Sequence, residues 1–213
     1  VRASANQLLA GPVINVLVNN AGLAGSKGLT KDGFELAFGT NHLGHFLFTE
    51  LLRPHIRPSA DGRPARIVNV SSQSHYQAKS IDWDALQKPT ASLTGLPEYS
   101  VSKLANVLHA QELARRVDAK TVTTYSLHPG VVATDVWRRV PAPVRWVMKR
   151  FMITSEEGAQ TTIYCAGAAE CASETGLYYD KSKPKRANRL TADEALAKTL
   201  WQKSCDWVGV ANA

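Results

Sequence analysis

Short apolar runs alternate with longer stretches of helical periodicity, and that alternation limits what this chain can fold into. VINVLVNN (13–20), ARIVNVSS (65–72) and TVTTYSLHPG (121–130) are β-branched and aliphatic runs bounded by turn-forming residues, so they read as buried strands. GLYYD (176–180) reads as a last strand. Between them, residues 31–56 carry helical periodicity and stop before Pro58, inside the breaker-rich loop PSADGRP (58–64). A second helix is expected from about Glu98 to Val117, with Val101, Leu104, Ala105, Leu108 and Leu113 along an apolar flank. Thr154-Ser155-Glu156-Glu157 has the form of a capping box opening a helix to about Ala169, and Thr191-Ala192-Asp193-Glu194 repeats that form. The long connection 73–97 holds one short amphipathic piece around Trp83–Gln87.

Strands alternating with helices of crossover length imply a parallel sheet covered on both faces, an α/β doubly wound architecture. The 213 residues suit a single domain, 1–213, and 44% hydrophobic content supplies its core. In such sheets ligands bind beyond the carboxyl ends of the strands. Three marked stretches fall on that edge: NNAG after the first strand, Ser72 at the end of the second and HPG after the third.

The net charge of +7 is spread along the chain apart from small clusters at Arg138–Arg139 and Lys181–Arg186. It suits solubility and some attraction for phosphate, and no zinc-finger spacing or RNA-binding signature points to nucleic acid. Three cysteines without a CxxC pair suit a reducing compartment. The sequon Asn69-Val70-Ser71 lies inside a buried strand and reads as noise. No run of 18 apolar residues is present to span a bilayer. VRASANQLLA (1–10) reads as the middle of an amphipathic helix, which suggests a cut N-terminus.

Tyr99 and Lys103 stand four apart in EYSVSK (98–103), one turn apart on one helix face. Such a pair is weak alone, because chance predicts about a third of a match in a chain with this many Tyr and Lys. Its company is stronger. VNNAG (18–22), NHLGHF (41–46), RIVNVSS (66–72), YSVSK (99–103) and HPGVVAT (128–134) occur in that order and resemble the successive motifs of the short-chain dehydrogenase/reductase family. SKLANVLHAQELARR (102–116), EEGAQTTIYCA (156–166) and LWQKSCDWVG (200–209) resemble its retinol-dehydrogenase-like branch.

The resemblance implies a Rossmann-like sheet and an NAD(P)-dependent enzyme that interconverts an alcohol and a carbonyl. Tyr99 would be the acid/base. Its ordinary pKa of about 10 must come down by roughly 2–3 units, which asks for about 3–4 kcal/mol of help from Lys103 and an oxidised nicotinamide. Ser72, rather than Ser71, would hydrogen-bond the substrate oxygen. Asn41 would hold a water against Lys103 in a proton relay. On the cofactor side the resemblance implies Asn20, Ala21 and Gly22 beside the adenosine ribose, Tyr99 and Lys103 at the nicotinamide ribose, and Pro129, Gly130, Val132 and Thr134 at the carboxamide. NADP or NAD would serve, with NADP favoured. The segment of about 135–153, with Trp137, Val144, Trp146, Val147, Met148, Phe151 and Met152, would be a lid over an apolar substrate such as a retinoid, steroid, lipid aldehyde or aromatic ketone.

No metal is expected, because His42 and His45 lack a carboxylate or thiol at ligand spacing. GLAGSKG (22–28) lacks the G-x-G-x-x-G form and reads as a flexible loop. The family's first strands and Gly-rich phosphate-binding turn have no counterpart here, which would leave VLVNN as a bare sheet edge and weaken dinucleotide binding. A non-catalytic interaction protein is the alternative, and peripheral membrane contact and homo-oligomer formation stay open. The expected location is cytoplasmic, or membrane-associated if an N-terminal anchor precedes Val1.

Overall fold

Strand β1 (Val16–Asn19) pairs with β2 (Ala65–Val70), β2 with β3 (Val122–His128), and β3 with β4 (Leu177–Asp180), all in parallel. A two-residue β5 (Lys183–Pro184) returns antiparallel on β4. The coordinates are a computed structural model and describe residues 1–130 and 153–212. The helices are α1 (Arg2–Leu9), α2 (Leu36–Phe38), α3 (Gly44–Leu52), α4 (Leu96–Arg116), α5 (Ser155–Gly167) and α6 (Glu194–Val208). This is the expected α/β, Rossmann-like architecture, with β1 at the sheet edge.

Helix boundaries follow caps rather than periodicity. The helix expected from residue 31 starts at Leu36, because Thr30 and Phe34 close a turn through Gly33, which takes φ +84°. Glu35 then caps α2, its carboxylate accepting from the Phe38 N–H. Between α2 and α3 the chain makes a π turn, Gly39–Leu43, in which the Gly44 N–H donates to the Gly39 carbonyl. Pro54 then helps end the helix in a 3-10 turn, Arg53–His55. Helix α4 begins at Leu96, where Gly95 turns at φ +66° and Pro97 fits the first turn.

Thr154 and Glu157 form the capping box of α5. The second expected box does not form. Asn188 instead caps a 3-10 turn, Arg189–Ala192, and Asp193 caps α6 by accepting from the Leu196 N–H.

The two faces of the sheet are filled differently. On one, Leu17 and Ile67 pack with Ala5 of α1, Phe46 and Leu52 of α3, Leu113 of α4 and Trp201 of α6. Phe46 meets Trp201 edge to face, ring centroids 5.0 Å apart at 78°, a favoured aromatic geometry. On the other, Val68, Val70, Tyr125, Leu127 and Tyr179 lie with Cys165 and Cys171 at the C-terminal end of α5. Arg66 enters this face and donates to Cys165 O at 3.1 Å and Ala168 O at 2.6 Å. Its buried charge is thereby met by the negative end of the α5 dipole. Val16 and Val18 of β1 remain 42% and 37% exposed.

Candidate active site

Helix α4 passes beside the carboxyl ends of the strands because it is bonded to β2. The Ser71 hydroxyl donates to Lys103 O at 2.7 Å, and Asn106 Nδ2 donates to Val70 O at 3.2 Å. Ser71 is thereby fixed on the α4 backbone, and the next residue, Ser72, hydrogen-bonds with the phenol of Tyr99 from the same helix. Tyr99 and Lys103 are both buried. Lys103 Nζ lies 5.7 Å from the centre of the Tyr99 ring and donates to Val70 O at 2.9 Å. The Ser72 hydroxyl also accepts from the Ser74 N–H at 3.2 Å.

The electrostatics differ from the expected ones. Burial pushes the Tyr99 phenol above its ordinary value, and the hydrogen bond with Ser72 is what opposes that rise. Lys103 does not bring the phenol down here, because its ammonium is turned to the Val70 carbonyl. Burial in turn lowers the Lys103 ammonium to about 8. Removing two polar groups from water acts on each before their mutual attraction does.

Asn41 sits in the π turn, a local widening of the helix that places its carboxamide over the loop after β1. Its Oδ1 accepts from the Leu23 N–H at 2.9 Å, and its Nδ2 donates to Leu23 O at 2.9 Å and to Ser102 Oγ at 3.0 Å. The Ser102 hydroxyl donates onward to Tyr99 O at 2.7 Å. Asn41 thus bonds the β1 loop to α4, and its partners are Leu23 and Ser102 rather than Lys103. A Cβ at Gly22 would stand 3.1 Å from Asn41 Oδ1 and 3.5 Å from Lys103 Nζ, so glycine keeps that gap open.

Asn20, Ala21 and Gly22 are exposed along the same edge. Pro129 and Gly130 follow β3, with Gly130 at φ +96°. Val132, Thr134 and all of the expected lid except Ile153 lie outside the described residues. Sequence reasoning missed Ser71 and Ser102 as the anchors of α4 and Asn41. The alternation within the strand was the available signal for Ser71.

His42 is buried between the rings of Phe38 and Phe46, with Nε2 3.1 Å from Ser204 Oγ. Burial lowers it to about 3 and lowers His45 to about 4. Among the described residues no group of three His, Cys, Asp or Glu could hold a metal ion, and no helix is long and apolar enough to cross a membrane.

A family model described as short chain dehydrogenase matches residues 3–83. The chain is 39% identical to retinol dehydrogenase 11 of Mus musculus, covering 99% of this chain and 66% of that protein. It is 40% identical to retinol dehydrogenase 14 of Homo sapiens, covering 99% and 63%. It spans less than two thirds of the length of these curated relatives. A solved structure of a putative uncharacterized protein from Mycobacterium paratuberculosis aligns with TM-score 0.75 at 28% identity, covering 99% of this chain and 73% of that one. The NADPH-bound carbonyl reductase from chicken fatty liver aligns with TM-score 0.58 at 22% identity, covering 87% and 70%, a likeness of fold.

Proposed function

The chain belongs to the short-chain dehydrogenase family, in its retinol-dehydrogenase-like part, and on that premise we propose that it carries the catalytic site of an NAD(P)-dependent oxidoreductase. The reaction interconverts an alcohol and a carbonyl on an apolar substrate, and the retinol dehydrogenases among its relatives support a retinoid-like one. The observation that carries this reading is the convergence of the Tyr99 phenol, the Ser72 hydroxyl and Lys103 at the carboxyl edge of the sheet.

The residues present fit the nicotinamide end of a dinucleotide. The gap that Gly22 keeps beside Lys103, and the Pro129–Gly130 turn across the sheet edge, support it. A bound nicotinamide supplies or takes up the hydride. NADP is favoured over NAD, a preference supported by the NADPH held by the carbonyl reductase of the same fold.

Ser72 donates a hydrogen bond to the substrate oxygen and steadies the charge that grows there as the carbonyl is reduced. Tyr99 gives its phenolic proton to that oxygen, or takes the hydroxyl proton in the reverse direction. Burial keeps the phenol protonated at rest, which suits the reducing direction. Lys103 lies beside the Tyr99 ring with its ammonium on the Val70 carbonyl, and Asn41 holds the Leu23 loop and α4 in register around it.

Tyr99→Phe tests this reading. With retinal and NADPH, turnover is expected to fall by roughly a thousandfold while nucleotide binding by calorimetry is retained. Turnover that survives the change overturns the role given to Tyr99. The open edge of β1 favours a second reading, a non-catalytic protein that binds a partner through that strand. Retinal reduction by a monomer in size-exclusion chromatography excludes it.

A further inference from the structure

The peptide group joining Ser72 to Gln73 is held at both ends by histidines. At one end the His75 ring meets Ser72 O, with Nδ1 at 2.6 Å. At the other, the Gln73 N–H donates to His128 Nδ1 at 3.3 Å. Both histidines are buried.

Their tautomers follow from their partners. The Asn188 backbone N–H donates to His75 Nε2 at 3.1 Å, so that nitrogen is the acceptor and Nδ1 carries the proton given to Ser72 O. Asn188 is fixed in turn, its side-chain amide donating to His75 O at 2.7 Å and Ala78 O at 2.9 Å. His128 is the opposite case. A backbone N–H can bond to its Nδ1 only if that nitrogen has a free lone pair, so the proton sits on Nε2. The charged neighbours are Asp180 and Lys185, bonded to each other at 2.6 Å, and Gln73 Nε2 reaches Asp180 Oδ2 at 3.3 Å. The ends of β2, β3 and β4 are thereby laced around one peptide.

We propose that His75 and His128 are positioning residues: as neutral rings of opposite tautomer they fix the Ser72–Gln73 peptide and so aim the Ser72 hydroxyl at Tyr99. The inference rests on the role given above to Ser72. A cation on either ring would break its grip, since protonated His128 has no acceptor for Gln73 and protonated His75 has none for Asn188. Burial keeps both neutral, lowering each to about 4. On His128, Asp180 opposes that lowering and Lys185 adds to it; on His75, the hydrogen bond to Ser72 opposes it, and His128 and Lys185 add to it.

Two measurements test the proposal on the purified protein. Long-range proton–nitrogen correlation spectra of histidine-labelled protein at pH 7, assigned by His75→Leu and His128→Leu, are expected to show His75 protonated on Nδ1 and His128 on Nε2. The same tautomer in both, or a cationic ring in either, overturns it. In steady-state kinetics His128→Leu is expected to lower kcat roughly tenfold with little change in substrate KM. His128→Asn, whose side-chain oxygen can take the place of Nδ1, is expected to restore most of that loss. An unchanged kcat, or a loss that Asn does not restore, also overturns it. Tyr99→Phe in the same assay separates the two failures. If it abolishes turnover while His128→Leu does not, the reaction stands and the positioning role falls; if it does not, the reaction itself falls.

Discussion

Val18 and Val68 are the same residue type, paired in register on neighbouring strands and facing the same way, yet one is 37% exposed and the other 0%. The difference lies in what covers them. Helix α5 crosses β2 and β3 on that face, and among the described residues little lies above β1. The opposite face, under α1, α3, α4 and α6, is packed across to the edge and holds His42 and His109 buried and His45 partly buried. Burial in a sheet belongs to the layer above it rather than to the strand, and a valine-rich strand says only that it can be covered.

The largest expected effect comes from the covered face. His42, His45 and His109 are neutral there, held below their ordinary value chiefly by burial. The unfolded chain therefore binds more protons than the folded one below pH 6.5. Stability is fully present above that pH and is lost as pH falls toward the folded values of about 3 and about 4 for His42 and His45. Roughly 2 kcal/mol per histidine is expected to be gone by pH 5, visible as a falling urea midpoint. A midpoint constant from pH 7 to 5 would mean that water reaches these rings, and the contrast between the faces would be lost.

On the other face, Arg66→Met leaves the Cys165 and Ala168 carbonyls without their donor. The expected cost is about 2–3 kcal/mol in chemical denaturation. The matched pair of valines gives the smallest and sharpest reading. Val68→Ala should cost about 2 kcal/mol and Val18→Ala less than about 0.5. Equal losses would show that β1 is covered in solution.

The strands were legible because a continuous apolar run between breakers has few other uses. Residues 13–20 were still read too long: Ile14 makes only an isolated bridge to Ile56, and the ladder starts at Val16. Helix starts were misplaced wherever a cap outranked periodicity, as at Glu35 and Asp193. At the site, spacing and resemblance brought forward Tyr99, Lys103, Ser72 and Asn41. The direction of the Tyr99 shift was missed, because a sequence shows that a lysine is near but not where its ammonium is turned or how much water remains. His75 and His128 were invisible as a pair, since what joins them is a backbone peptide far from His128 in the chain.

The π turn at Gly39–Leu43 makes length, more than residue identity, the critical variable in that part of the chain. Deleting one residue there would close the turn to ordinary α-helix, so that the flanking turns, with Phe46 against Trp201, could keep their phase. What would go is the seat of Asn41 over the Leu23 loop, though composition and apolarity would hardly change.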